Sequence, residues 1–263
     1  MSDTEEGRLA RPDGNTIAYR RTRAAVIGRN PPGIVFLHGF RSDMTGGKAQ
    51  AVEAYCRGRG QACLLFDGFA HGKSSGDFAH GTIGRWAEDA AAVLDALTEG
   101  PQILVGSSFG GWIMVLAALL RPQRVAGLVG LAAAPDFTED LILAAFKPED
   151  RRVLDEQGQI MIPGTYDLPS YPITKNLIDE ARNHLVLRGP IPITCPVRLI
   201  HGLEDADVPW QTSLTLQEKL ASTDVAVTLV KGAGHRLSEP ADLVRLRMTL
   251  DDLLRPTANV SRA

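Results

Sequence analysis

The pentapeptide Gly106-Ser107-Ser108-Phe109-Gly110 sits between two apolar runs. Before it, Gln102-Ile103-Leu104-Val105 has the length and β-branched content of a buried strand. After it, Gly111-Trp112-Ile113-Met114-Val115-Leu116, continued by Ala117 to Leu120, is long enough and rich enough in good formers to be a helix. G-x-S-x-G between a strand and a helix predicts a tight turn with its middle residue, Ser108, on an exposed corner. Glycine is expected at 106 and 110 because a Cβ at either place would clash. Ser108 also opens a helix, where free N–H groups and the dipole favour negative charge. The chain has 26 glycines in 263 residues, so such a pentapeptide also arises by chance. Its flanks and its partners elsewhere must carry the reading.

Outward from this turn, strands and helices alternate. Gly7 to Arg23 reads as a hairpin about Pro12-Asp13-Gly14. Asn30 to Gly33 is a loop, and Ile34-Val35-Phe36-Leu37 a buried strand ending at His38-Gly39-Phe40. A helix is predicted over Lys48–Gly58, and a strand over Ala62–Phe66, followed by a Gly/Ser-rich loop from Asp67 to Gly76. Thr82 is placed to N-cap a helix reaching Leu97. Val125–Leu131 is the strand after the central helix. Strands apolar on both faces belong to a covered parallel sheet.

The alternation breaks between Pro135 and Pro192, where short helical pieces (139–146 and 174–183) and one short strand (159–162) are separated by prolines. Such a stretch is too small to bury a core of its own. It reads as an insertion, 136–192, lying over the sheet as a small lid between core segments 1–135 and 193–263. The pattern then resumes with a strand at Val197–Ile200, a helix from Trp210 to Leu220, a strand at Val225–Val230 and a closing amphipathic helix from Glu239 to Leu254.

With 44% apolar and 22% charged residues the chain can build a full core, and its net charge of −3 with no dense Lys/Arg run argues against nucleic acid as a partner. No apolar run approaches a membrane span. The acidic start, Met1 to Glu6, looks like neither a secretory signal nor a transit peptide. Cys56, Cys63 and Cys195 are widely spaced and form no C-x-x-C, which fits buried, reduced thiols. Together these features predict a cytoplasmic protein.

A serine hydroxyl needs a base within hydrogen-bond reach and a third group to orient that base. In a parallel sheet such groups come from loops at the carboxyl ends of strands. His38, His71, His201 and His235 all follow strands, whereas His80 and His184 read as surface residues. Among acids, Glu204, Asp205 and Asp207 follow the strand at 197–200, and Asp136 follows an earlier one. The spacing of Gly202, Asp205, Val208 and Pro209 favours Asp205; Asp207 and Asp136 are alternatives, and Glu204 reads as solvated. Two backbone donors are expected for an oxyanion: the N–H of Phe109, next after Ser108, and that of Phe40.

Taken together, His38-Gly39-Phe40, the Asp67–Ser74 loop, the turn at 106–110, the acid loop at 202–209 and Gly234-His235 resemble the α/β-hydrolase superfamily over nearly the whole chain. The resemblance implies a mostly parallel eight-stranded sheet with helices on both faces. It also implies the order nucleophile, acid, histidine, and hence Ser108, Asp205 and His235. His38 then reads as a supporting residue and His201 as strand-end packing. Phe36 to Ala49 and Gly81 to Trp86 look like the branch of acyl-protein thioesterases that includes a mitochondrial enzyme, from which the acidic N-terminus departs. The implied activity is a serine hydrolase acting on an ester or thioester of an acylated or small-molecule substrate, with no cofactor and no metal. A carboxylesterase or C–C bond hydrolase is the alternative, and a non-catalytic ligand-binding protein of the same fold is the reading from another class.

Overall fold

The computed structural model describes residues 4–25, 31–164 and 169–255. Asn30, the first residue of the expected loop, and positions 165–168 of the insertion lie outside them. The chain runs β1 (Thr4–Ala10), β2 (Thr16–Thr22), β3 (Gly33–Leu37), α1 (Gly47–Arg59), β4 (Cys63–Phe66), α2 (Ile83–Leu97), β5 (Gln102–Ser107), α3 (Phe109–Leu120) and β6 (Val125–Leu131). It continues with α4 (Pro148–Gln157), β7 (Gln159–Ile162), β8 (Tyr171–Thr174), α5 (Lys175–Ala181), β9 (Val197–Gly202), α6 (Gln211–Lys219), β10 (Val225–Val230) and α7 (Pro240–Leu254).

Strand parity makes the layers. In β3, Ile34 and Phe36 point to the core beneath α1 and α7, while Val35 and Leu37 point to the core beneath α2 and α3. β5 does the same with Ile103 and Val105 on one face and Leu104 on the other. Because successive side chains alternate, a strand apolar at every position needs a helix layer on each side. The sheet has eight strands in the order β1-β2-β4-β3-β5-β6-β9-β10. From β4 to β10 every pairing is parallel, and the β1–β2 hairpin adds antiparallel to β4. The carboxyl ends of β3, β5, β6 and β9 therefore share one edge. The Thr82 hydroxyl caps α2 by accepting the Arg85 N–H at 3.2 Å, as its position suggests.

Between β6 and β9 the chain leaves the sheet. A π-helical segment covers Thr138–Leu143, and β7 and β8 form a separate two-stranded ribbon. Both α4 and β8 depart from the sequence expectation. Pro148, one of the prolines expected to separate the pieces, instead opens α4, where it loses nothing because the first N–H has no helical acceptor. Pro172 lies in a two-stranded ribbon, where an edge strand tolerates a missing donor. Leu154, Ile173, Leu177 and Ile178 bury into the same core as α2 and α3. Two polar ties add to this: Gly84 N–H donates to the Glu180 carboxylate at 3.1 Å, and Trp112 Nε1 donates to the His184 carbonyl at 3.0 Å.

Candidate active site

The turn at 106–110 is as tight as its glycines suggest. A Cβ on Gly106 would stand 2.4 Å from the Gly110 carbonyl oxygen, and one on Gly110 would stand 2.2 Å from that of Leu37. Ser108 has φ +54° and ψ −122°, outside the ordinary regions for an L-residue. Such a conformation costs about 1–3 kcal/mol and persists only where its surroundings impose it. Here three backbone hydrogen bonds do so. Ser108 N–H donates to Leu131 O at 2.9 Å, and its carbonyl accepts from Gly111 at 2.8 Å and Ala134 at 3.0 Å.

From this corner a polar chain runs inward. Ser108 Oγ lies 2.9 Å from His235 Nε2, and His235 Nδ1 lies 2.8 Å from Asp205 Oδ2. Asp205 Oδ2 accepts a second imidazole, His201 Nε2, at 3.0 Å, while Oδ1 accepts the N–H groups of Asp207 at 2.9 Å and Val208 at 2.8 Å. Burial alone would raise the Asp205 carboxyl. The hydrogen bonds from His201, His235 and Val208 outweigh it and hold the group well below the usual carboxylate range. An ionised acceptor on Nδ1 fixes the tautomer that leaves Nε2 free to take the serine proton. Donor atoms of Asp205, Asp207 and His235 lie within 4.8 Å of one another. The Asp205 oxygens already accept four N–H donors, so this set does not fit a metal ion.

The loop after β3 lies against the serine, since a Cβ on Gly39 would stand 3.7 Å from the Ser108 Cβ. Phe40 follows in that loop. Phe109, the first residue of α3, has no carbonyl a turn earlier in the helix to take its N–H. The Phe40 ring is held among aromatic neighbours at 5.1–6.2 Å, including Phe78, Trp86, Phe109, Phe137 and Tyr171. The next residue, Arg41, places its guanidinium 4.4 Å over Tyr171 and donates to the Pro169 carbonyl at 2.7 Å. This joins the loop to the insertion.

Ser108 and His235 open on a cavity of about 620 Å³. One wall is apolar and comes largely from the insertion: Phe137, Leu141, Ile142, Ile162 and Tyr171. The other carries Ser42, Asp43, Lys48, Asp207 and Arg236 from the loop before α1, from α1 itself and from the acid and histidine loops. Lys48 Nζ donates to the Arg236 carbonyl, and burial together with Arg236 lowers its ammonium to about 8.

Other expectations fall unevenly. His38 is buried with Nδ1 2.8 Å from the Gly39 carbonyl and its ring 4.9 Å from that of His71. Burial and the neighbouring His38 lower His71 to about 3, so it stays neutral. His80 is exposed, as expected. His184 is not a free surface residue, since its Nε2 lies 2.6 Å from Glu180. His201 does more than pack, because it bonds Asp205 directly. Glu204 and Asp207 are exposed. Asp136 is fully buried and accepts Val186 N–H at 2.8 Å and Leu187 N–H at 2.9 Å; it takes no part in the chain from Ser108. Cys56 and Cys63 are buried and Cys195 half-buried, all unpaired. Among the described residues no helix is long and apolar enough to cross a membrane.

Comparison with known proteins shows the family. Residues 32–153 match the alpha/beta hydrolase fold family. The mitochondrial palmitoyl-protein thioesterase ABHD10 of Bos taurus is 41% identical over 253 residues, covering 94% of this chain and 79% of its own. The solved structure of mouse alpha/beta hydrolase domain-containing protein 10 superimposes with a TM-score of 0.85 at 41% identity, covering 95% of this chain and 98% of that one. A crystal structure from Agrobacterium vitis S4 gives a TM-score of 0.90 at 37% identity, covering 97% and 100%. These relatives overturn the cytoplasmic expectation, since the mammalian thioesterases are mitochondrial. Unpaired thiols ask only for a reducing setting and do not tell one such compartment from another. The chain belongs to the α/β-hydrolase family, in the branch of the mitochondrial palmitoyl-protein thioesterases.

Proposed function

We propose that the protein is a serine hydrolase that cleaves acyl thioesters, and carboxylic esters of similar shape, through Ser108, His235 and Asp205. Ser108 Oγ attacks the acyl carbon while His235 Nε2 takes its proton. The oxyanion rests on the N–H groups of Phe40 and Phe109. His235 returns the proton to the departing thiol or alcohol, then takes one from water as the water attacks the acyl-enzyme. Ser108 is freed and the carboxylic acid leaves. The scheme uses side chains, backbone and water alone.

The observation that carries this reading is the unbroken chain from Ser108 Oγ through His235 to Asp205, at 2.9 and 2.8 Å, opening on the cavity. The apolar wall suits an acyl chain and the polar wall a leaving group. The preference for a thioester over an ester rests on the likeness to palmitoyl-protein thioesterases. Residues 136–192 act in this scheme as a small lid on the core formed by 1–135 and 193–263, because they supply most of the apolar wall.

A fluorophosphonate probe tests the nucleophile. Wild type and Ser107→Ala should label, and Ser108→Ala should not. Equal labelling of wild type and Ser108→Ala, or none in either, defeats the proposal. A chain-length series of p-nitrophenyl esters and acyl thioesters tests the substrate: turnover should rise with acyl length on thioesters, and activity confined to short esters defeats that part alone.

A further inference from the structure

Asp205 Oδ2 is shared. It accepts His235 Nδ1 at 2.8 Å on the side facing Ser108, and His201 Nε2 at 3.0 Å on the side facing the interior. His201 is fully buried, and its other nitrogen lies 2.7 Å from the hydroxyl of Ser213, which is 1% exposed. His201 Nε2 also lies 3.0 Å from the Val208 carbonyl. Both groups on Nε2 are acceptors, so Nε2 must carry the proton. Nδ1 of the neutral ring is then an acceptor, and Ser213 is its donor. Asp205 and the Val208 carbonyl thereby select the tautomer, and the Ser213 hydroxyl, able to donate or accept, donates to the Nδ1 lone pair.

We propose that His201 and Ser213 are positioning residues that tune how strongly Asp205 holds His235, and so set the pH at which the serine becomes reactive. This rests on the triad reading above. The carboxylate does not need His201 to fix its orientation, because Oδ1 is already anchored by the N–H groups of Asp207 and Val208. The contribution of His201 is electrostatic. A second N–H on Oδ2 draws charge from the oxygen that faces His235 and weakens its stabilisation of the imidazolium. Without that N–H, Oδ2 stabilises protonated His235 more, and the proton must be removed at higher pH. The other charged groups about this pair are the Asp207 carboxylate, within 4.8 Å of the His235 and Asp205 donor atoms, Arg236 beside His235, and Lys48 from α1. None of them is altered by a change at 213.

Ser213→Ala is the cleanest perturbation. It removes the donor to Nδ1, so the ring is polarised less and its Nε2–H becomes a weaker donor to Oδ2. A neutral hydrogen bond corresponds to about half to one pH unit on its partner. The rate of fluorophosphonate labelling, followed from pH 5 to 9, should therefore keep its plateau within a few-fold while its acid limb moves up by part of that, about 0.2–0.5 pH unit. His201→Gln, which retains an N–H donor, should keep the wild-type limb, and His201→Phe, which removes the donor outright, should move it further than Ser213→Ala, by the full half to one pH unit. If His201→Phe does not fold, Ser213→Ala carries the test. A merely structural pair would lower the melting temperature and leave the limb in place, and that result in Ser213→Ala overturns the proposal. Wild type that does not label overturns the triad reading and this one together; wild type that labels, with an unmoved limb in Ser213→Ala, overturns this one alone.

Discussion

Two aspartates stand just beyond the ends of neighbouring parallel strands, Asp136 after β6 and Asp205 after β9. Both side chains are fully buried, and each accepts two backbone N–H groups. Their chemistry diverges. Burial raises Asp136 more than the N–H groups of Val186 and Leu187 lower it. Asp205 is pushed up by burial as well, but two imidazoles hold it down. Backbone amides satisfy a carboxylate, whereas an imidazole N–H does so and can also receive a proton at its far nitrogen. The first arrangement makes a clip and the second a charge that a base can lean on. Asp136 clips the start of the insertion to its return at Val186 and Leu187. Asp205 bonds His235 beside the elbow, the turn at 106–110.

The largest expected effect comes from removing the charge at 205. Asp205→Asn should lower kcat/KM on the order of 10⁴-fold with the fold intact, because an amide can hold the wrong histidine tautomer. The same change at 136 should spare the elbow. Asp136→Asn turns an NH₂ toward a backbone N–H and should cost about 1–3 kcal/mol in chemical denaturation, with kcat/KM within a few-fold of wild type. Equal losses of activity in the two variants would erase the distinction.

The pH dependence of stability sharpens the contrast, with a slope of up to about 1.4 kcal/mol per pH unit for one proton. The Asp205 carboxyl is depressed in the folded state, so its contribution is present above the unfolded value near 3.8 and is lost as pH falls through the folded one. The Asp136 carboxyl is raised, so the folded state binds that proton more tightly. Its contribution is present below the unfolded value and is lost as pH rises through the raised one. Urea titrations from pH 3 to 7 should show the difference between wild type and Asp205→Asn growing with pH at the acid end. The difference for Asp136→Asn should shrink as pH rises over the range just above 3.8.

The smallest effect belongs to a further tie on the insertion, at the cavity lining. Arg41 over Tyr171 is partly exposed, and a cation–π contact there is worth about 0.5–1 kcal/mol. Arg41→Ala should raise KM by about two- to five-fold with kcat nearly unchanged. A larger fall in kcat than in KM would mean that Arg41 acts on the Phe40 loop rather than on the insertion.

The fold was legible because its signals are local. Ile34–Leu37, Cys63–Phe66 and Ile103–Val105 are apolar at every position, which demands a sheet covered on both faces. Tight-turn glycines mark the elbow, and strand-end loops supply candidate acids and bases in one order along the chain. Strand direction narrowed the bases to His38, His71, His201 and His235, and the chain order that the family resemblance implies singled out His235 with Asp205. The insertion was harder to read. Pro148 opens a helix and Pro172 lies in a ribbon, and a proline alone does not tell those roles from a loop. His201 carried a weak signal, four residues before Asp205 at a strand end, but packing explained it equally well.

The sequence by itself determined the layered sheet, the strained corner at Ser108 and the set of residues able to serve it, because periodicity, turn chemistry and strand direction act over a few residues. Only the tertiary structure decided which of two buried aspartates meets imidazoles beside its backbone amides and which does not. It alone brought Asp136 to Val186 and His201 to Ser213. Hydrogen bonds between residues 12 and 50 positions apart depend on where whole elements pack, and no local pattern of residue types encodes that.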